Sequence, residues 1–65
     1  MQIQLNGELQ TISFQTLNEL VQHLNLEGKR FAIELNEMIV PKHKFANTLI
    51  QENDRIEVIQ AVGGG

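Results

Sequence analysis

The chain begins with hydrophobic residues at every second position, a pattern typical of a half-buried β-strand. Ile3 lies in this alternation, which pauses at Asn6 and Gly7 and then resumes. Asn-Gly is the preferred pair for the two left-handed positions of a type I′ turn. The pattern therefore predicts a β-hairpin with strands at about residues 2–5 and 8–13.

The hydrophobic period then changes to that of a helix, with apolar residues at i, i+3, i+4 and i+7. These residues are Leu17, Leu20, Val21 and Leu24. Thr16 and Glu19, three residues apart, fit a capping box. We therefore expect a helix over about residues 17–25, with Gly28 in the turn that follows. Because this helix has an apolar stripe, it needs a sheet to cover it.

The second half of the chain predicts three more extended segments. Two short strands lie on either side of Asn36 and Glu37, and Pro41 ends the second because it cannot donate to a ladder. The next stretch is irregular, with a short helical turn that places Phe45 and Leu49 in the core. A last strand then covers residues 56–62.

This last strand has two apolar faces. Ile56, Val58 and Val62 lie on the face expected to meet the helix, whereas Ile59 and Ala61 point to the other side of the sheet. Glu52, Asp54 and Glu57 precede the tail, where they either steer a basic partner surface or are simply solvated.

The order ββαβ(β)β predicts an α+β fold of the β-grasp type. We expect a mixed sheet of four to five strands with one main helix packed across one face. The last strand returns to the middle of the sheet, parallel to the first. The domain organisation is then a β-grasp domain over residues 1–62 and a flexible glycine tail over residues 63–65.

Composition excludes several classes of function. The net charge is −3 and the five basic residues are scattered, which disfavours nucleic-acid binding. The absence of cysteine excludes disulfides and thiolate metal sites. The two histidines have no metal-ligand spacing, so we expect neither a metal nor a cofactor. No membrane-spanning stretch or signal peptide is recognisable, and the expected location is the cytoplasm.

The glycine tail itself indicates a chemistry. An α-carboxyl group has a pKa of about 3.3–3.7, so it is ionised near neutral pH and is a poor electrophile. The sequence contains no P-loop motif and no dinucleotide fingerprint. Activation of the carboxylate of Gly65 must therefore come from another protein, for which this chain is a substrate. Gly63 and Gly64, which lack Cβ atoms, suit a tail that threads a narrow channel to that active site.

Taken in order, several segments resemble the ThiS-type, ubiquitin-like sulfur carriers of thiamin biosynthesis. The segments are MQIQLNG, TLNELVQHL, FAIELNEMIVPKHKF, LIQENDRIEVIQAV and the glycine end. The resemblance covers essentially the whole chain. The family usually ends in two glycines and has Gly-Asp before the last strand, whereas this chain has three glycines and Asn53-Asp54. Asparagine tolerates the left-handed conformation, so we expect that turn to be preserved.

The resemblance implies a function as a carrier that is not itself an enzyme. In this family a ThiF-type adenylyltransferase, related to the E1 ubiquitin-activating enzymes, uses ATP to adenylate the C-terminal glycine, which here is Gly65. Sulfur from a donor such as a cysteine desulfurase replaces AMP and gives a thiocarboxylate. A ThiG-type thiazole synthase then takes the sulfur. Ile59, Ala61 and Val62 beside the tail are the candidate docking surface for these partners.

Other functions share the same tail chemistry. The sulfur could serve molybdopterin synthesis or tRNA thiolation, although carriers of those kinds tend to be longer. A ubiquitin-like modifier would join the activated tail to lysines of target proteins. A third class is a β-grasp binding module whose glycine end has no chemical role.

Overall fold

The structure is a computed structural model, and it describes residues 1–60. A five-stranded sheet carries one α-helix and one 3₁₀-helix. The strands are β1 (Gln2–Leu5), β2 (Glu8–Thr11), β3 (Phe31–Leu35), β4 (Met38–Val40) and β5 (Arg55–Gln60), the helix is α1 (Leu17–His23), and the 3₁₀-helix is Lys42–Asn47.

The strand order is β2-β1-β5-β3-β4, so β5 lies at the centre of the sheet. It runs parallel to β1, with Gln4 opposite Arg55, and antiparallel to β3. The two hairpins, β1–β2 and β3–β4, flank it on either side. This is the predicted β-grasp arrangement, and the return of the last strand to the middle of the sheet is confirmed. The predicted limit between the domain and the glycine tail lies outside the described residues.

The core lies between α1 and one face of the sheet. Three of its side chains, Ile3, Ile33 and Ile56, come from the three central strands and are at most 1% exposed. They pack in one cluster with Leu17 and Leu20 of α1. Their neighbours along each strand point to the opposite side, because side chains alternate across a sheet. We call that opposite side, which α1 does not cover, the open face.

The predicted capping box is present at the start of α1. The Thr16 hydroxyl accepts from the Glu19 N–H at 3.2 Å, and the Glu19 carboxylate accepts from the Thr16 N–H at 3.1 Å. The Glu19 carboxylate also accepts from the Gln15 N–H at 3.1 Å. The hydrogen bond from Gln15, followed by that from the Thr16 side chain, lowers the pKa of Glu19. Orphan amides of the first turn are thereby satisfied.

α1 ends at His23, two residues before the predicted end. Asn25 has a φ of +57°, its N–H donates to the Gln22 carbonyl, and the Leu26 N–H donates to the Val21 carbonyl. These two bonds form a Schellman motif in which asparagine takes the place usually occupied by glycine. Gly28 has a φ of +79° and lies in the following turn, as predicted.

Two expectations about single positions are wrong. β2 ends at Thr11 rather than at residue 13. The Ile12 N–H still donates to the Met1 carbonyl at 2.8 Å, but β1 offers no backbone partner to the residues after Ile12. Phe45 is buried as predicted, but Leu49 is 62% exposed. The chain is extended there, so the adjacent Ile50 points inward, and its N–H donates to the Gln15 carbonyl at 2.7 Å.

Within the described residues, no helix is both long enough and apolar enough to cross a membrane.

Candidate functional site: the open face of the sheet

The central strand β5 positions the candidate site. It is the last element before residues 61–65, and it is held on one side by β1 and on the other by β3. Pairing with β3 runs from Leu35 opposite Ile56 to Phe31 opposite Gln60, which is all of β5 except its first residue. Any group carried by the residues after Gln60 is therefore attached to the most firmly paired strand of the sheet.

Ile59 lies on the open face, as its position in the alternation predicted. It is 50% exposed and stands directly opposite Ala32 of β3. The next strand adds Ile39, which is 67% exposed and lies opposite Glu34. We call Ile39, Ala32 and Ile59 the apolar strip. The other predicted docking residues, Ala61 and Val62, lie outside the described residues, as do Gly63, Gly64 and Gly65.

Ile39 and Ala32 were not singled out from the sequence. Ile39 follows Met38 and precedes Val40 in an apolar run, so no alternation identifies the residue that faces outward. Its side is set by the register of β4 on β3 and of β3 on β5. That register depends on contacts between segments that are distant in the sequence.

The acidic group predicted before the tail is not a cluster. Asp54 is buried, and its carboxylate accepts from the Asn36 amide at 3.0 Å and from the Gln51 N–H at 2.8 Å. The Glu52 carboxylate accepts from the Gln2 N–H at 2.9 Å. Of the three acids, Glu57 alone projects from β5 onto the open face. The interpretation of Asp54 as a solvated or partner-facing acid is therefore wrong, since it is a structural residue.

A shallow pocket of about 170 Å³ lies on the other side of the sheet, between the end of β2 and α1. Its lining includes Ile12, Phe14, Leu24 and His23. The rings of Phe14 and His23 pack with their centroids 5.2 Å apart. Among residues 1–60, no group of three metal-binding side chains is close enough to hold an ion. The lining also includes the polar residues Gln10, Thr11 and Ser13, so the pocket is mixed in polarity.

The central strand thus carries the chain from a covered core to a terminal glycine sequence, beside an exposed apolar strip. Comparisons with known proteins identify the family. The family model described as the ThiS family matches residues 3–65.

The matching proteins include carriers and a larger enzyme. The chain is 33% identical over 66 residues to the "Sulfur carrier protein ThiS" of Escherichia coli (strain K12), with 100% of both chains covered. It is 32% identical over 66 residues to a "Thiazole synthase" of Paramagnetospirillum magneticum, covering 100% of this chain and 20% of that protein.

A solved structure shows the same architecture. The crystal structure of the thiamine biosynthesis protein (ThiS) from Geobacter metallireducens matches with a TM-score of 0.83 and 25% identity, covering 100% of both chains. The family match over nearly the whole chain and the shared β-grasp fold lead to one conclusion: this chain belongs to the ThiS family, the sulfur carrier proteins of thiamine biosynthesis.

Proposed function

We propose that the chain carries sulfur as a thiocarboxylate on Gly65, and that it does so in the cytoplasm. A ThiF-type, E1-like adenylyltransferase activates the Gly65 carboxylate with ATP, and the acyl-adenylate forms with release of pyrophosphate. The outer sulfur of a donor persulfide, such as that of a cysteine desulfurase, then displaces AMP to form an acyl disulfide, and a thiol reductant cleaves the S–S bond to release the thiocarboxylate. A ThiG-type thiazole synthase uses the thiocarboxylate sulfur to form the thiazole. The chain takes part as a substrate in each of these reactions.

The observation that carries this proposal is the position of β5. The strand is paired on both sides over its first residues and leads directly into the sequence Ala61-Val62-Gly63-Gly64-Gly65. A rigid strand before a thin terminus lets the body dock while the carboxylate reaches a nucleotide. Because ordering each tail residue costs about 1–2 kcal/mol, docking of the body has to offset that cost.

The apolar strip is the proposed docking surface for the partners, together with Ala61 and Val62. Ile59 and Ile39 remain at least half exposed in the free chain, being 50% and 67% exposed respectively. Burial of apolar surface stabilises a complex by roughly 25 cal/mol per Å² before the costs of association. Both isoleucines lie on the open face, and Ile59 directly precedes Gln60, the last described residue.

The match to a thiazole synthase supports that enzyme as a partner. In the Paramagnetospirillum magneticum protein, a region similar to this whole chain makes up 20% of a longer polypeptide. Joining two domains in one chain raises their effective concentration to the millimolar range when the connection is short. Such an arrangement favours transfer of a group from one domain to the other.

Intact-mass measurement tests the chemistry. The chain is incubated with the adenylyltransferase, ATP, a sulfur donor and a thiol reductant, and we expect the mass increase that accompanies exchange of one oxygen for one sulfur. A chain lacking Gly65 ends in Gly64 and tests the assignment of the reactive residue. We expect the shortened chain to react more slowly. Equal conversion of the two chains would mean that the reaction does not distinguish Gly65 from Gly64 as the terminal residue. Attachment to lysines would indicate a modifier, and an unchanged mass would overturn the proposal.

Paired substitutions test the docking surface. Ile59→Ser should raise the apparent KM of the chain in adenylation by about tenfold, equivalent to about 1.4 kcal/mol. Leu9→Ser is the matched control, since Leu9 is 64% exposed and lies opposite Gln4 on the same face. Leu9 lies at the level of Arg55, about 13 Å further along the strand direction from Ile59. Equal effects of the two substitutions would remove the apolar strip from the proposal.

A further inference from the structure

Two carboxylates oppose each other on the open face. Glu34 of β3 and Glu57 of β5 are directly paired in the antiparallel register, next to the pair formed by Ala32 and Ile59. Directly opposed residues of an antiparallel pair have Cβ atoms about 4.5–5.5 Å apart, and like charges in this position destabilise a sheet. The arrangement therefore works against the stability of the free chain.

No cation of the chain neutralises this pair. All five basic residues lie within the part of the chain that the structure describes, and none forms an ion pair with either carboxylate. Arg55 lies two residues before Glu57 on the same strand, but its guanidinium pairs with Glu37 at 3.3 Å. Among the described residues, Glu34 and Glu57 therefore have no ion-pair partner.

The two carboxylates have apolar neighbours on one side, whereas Arg55 lies on the other side along β5. Ile39 stands beside Glu34 on β4, and Ile59 and Ala32 form the next pair along the strands. A protein that docks on the apolar strip therefore also removes water from Glu34 and Glu57. Burying an ionised carboxylate is costly unless a partner charge and hydrogen bonds compensate for it. If the partner surface were only apolar, the desolvation of both carboxylates would remain uncompensated and would weaken binding.

We propose that the Glu34–Glu57 pair receives an arginine side chain of thiazole synthase when that enzyme docks on the open face. A guanidinium is planar and has five N–H donors, so one side chain can bond both carboxylates at once. The inference rests on the proposed function, because it takes thiazole synthase as the occupant of the open face. That choice follows from the thiazole synthase that contains a region like this chain.

The test uses the whole chain and the thiazole synthase of the same organism. Binding is measured by calorimetry for the unaltered chain, for Glu34→Gln and Glu57→Gln, and for the double substitution. We expect each single substitution to raise Kd about tenfold, because half of the bidentate site is lost. The same substitutions should raise Tm, since they remove the like-charge repulsion. A merely structural role would not weaken binding while stabilising the fold.

Glu27→Gln is the matched control, because it changes the net charge equally at an exposed residue in the loop between α1 and β3. Its Kd should stay within twofold of the unaltered value. The affinity of the unaltered chain should fall with added salt more steeply than that of the double variant. Unchanged Kd values for both glutamate variants, or an equal loss in Glu27→Gln, would overturn the inference.

Three further outcomes separate this inference from the proposed function. If the mass measurement shows a thiocarboxylate but the synthase does not bind the chain, the inference fails and the carrier function stands. If the glutamate variants weaken only adenylyltransferase binding, thiazole synthase is the wrong occupant. If no thiocarboxylate forms, the proposed function itself is wrong.

Discussion

The two hairpin turns of the molecule have nearly the same backbone shape but different residues at the second position. In the β1–β2 turn Asn6 and Gly7 have φ angles of +50° and +82°. In the β3–β4 turn Asn36 and Glu37 have φ angles of +52° and +73°. Both are two-residue connections with two left-handed positions, as in a type I′ turn. The fold therefore demands one geometry twice and obtains it from different sequences.

Both asparagines also hold the central strand. The Asn6 N–H donates to the Ile56 carbonyl at 2.9 Å, and the Asn6 side-chain oxygen accepts from the Val58 N–H at 2.7 Å. On the other side of β5, Asn36 bonds both backbone groups of Arg55, at 2.7 and 2.9 Å. Asparagine thus has two roles at each turn. It tolerates the left-handed conformation, and its side-chain oxygen accepts a hydrogen bond from a backbone N–H of β5.

The difference between the turns is where their support comes from. The Asn36 amide is backed by the buried carboxylate of Asp54, and Glu37 adds an exposed ion pair with Arg55. A non-glycine residue in the left-handed region costs roughly 1–2 kcal/mol, which an exposed ion pair of about 0–1 kcal/mol does not fully offset. The β1–β2 turn has neither feature and relies on Gly7. The β3–β4 turn is therefore the more strained and the more strongly buttressed of the two.

Removal of the Asp54 carboxylate, which supports the Asn36 amide, should give the largest loss of stability. Asp54→Ala leaves the Asn36 amide and the Gln51 N–H without their partner, and we expect the free energy of unfolding to fall by about 3 kcal/mol. Glu52→Ala is the control, because that exposed carboxylate also accepts one backbone N–H, from Gln2. Glu52→Ala should lower the free energy of unfolding, measured by urea denaturation, by about 0.5 kcal/mol, as expected for an exposed contact. Equal losses would contradict a special role for Asp54.

Two substitutions of Asn6 should separate turn conformation from strand support. Asn6→Gly keeps the left-handed conformation but loses the hydrogen bond from the Val58 N–H, which should lower the free energy of unfolding by about 1 kcal/mol. Asn6→Ala adds the strain of a Cβ at positive φ, for a total of about 2 kcal/mol. Urea denaturation gives both values, and faster hydrogen exchange at Val58 reports the lost bond. If both variants were equally stable, strain at this turn would be negligible.

These contrasts explain which features could be predicted from the sequence. The Asn6-Gly7 turn and the Thr16–Glu19 capping box have local signatures, and both are confirmed. The order of elements was sufficient to predict a β-grasp sheet, because a hairpin, a helix and a final apolar strand admit few arrangements.

Other features depend on register. The burial of Asp54 requires Asn36, eighteen residues away, to meet it across two turns. The Glu34–Glu57 pair and the position of Ile39 on the open face likewise follow from strand pairings between distant segments. Alternation gives the side to which Ile59 points, but no local pattern gives its neighbours. The candidate site was therefore predicted only where it coincides with the last strand.

The smallest expected effect concerns Glu37, and it has the opposite sign. Glu37→Gly places glycine where the turn geometry prefers it, and relief of strain exceeds both the lost ion pair and the greater freedom of the unfolded chain. We expect a gain of about 0.5 kcal/mol in the free energy of unfolding, which would be larger at high salt because salt weakens the ion pair. Glu37→Gln, which keeps the strain but removes the charge, should lose up to about 0.5 kcal/mol. If Glu37→Gly were instead the less stable of the two, the ion pair with Arg55 would outweigh the strain, and the two hairpin turns would differ less than their sequences imply.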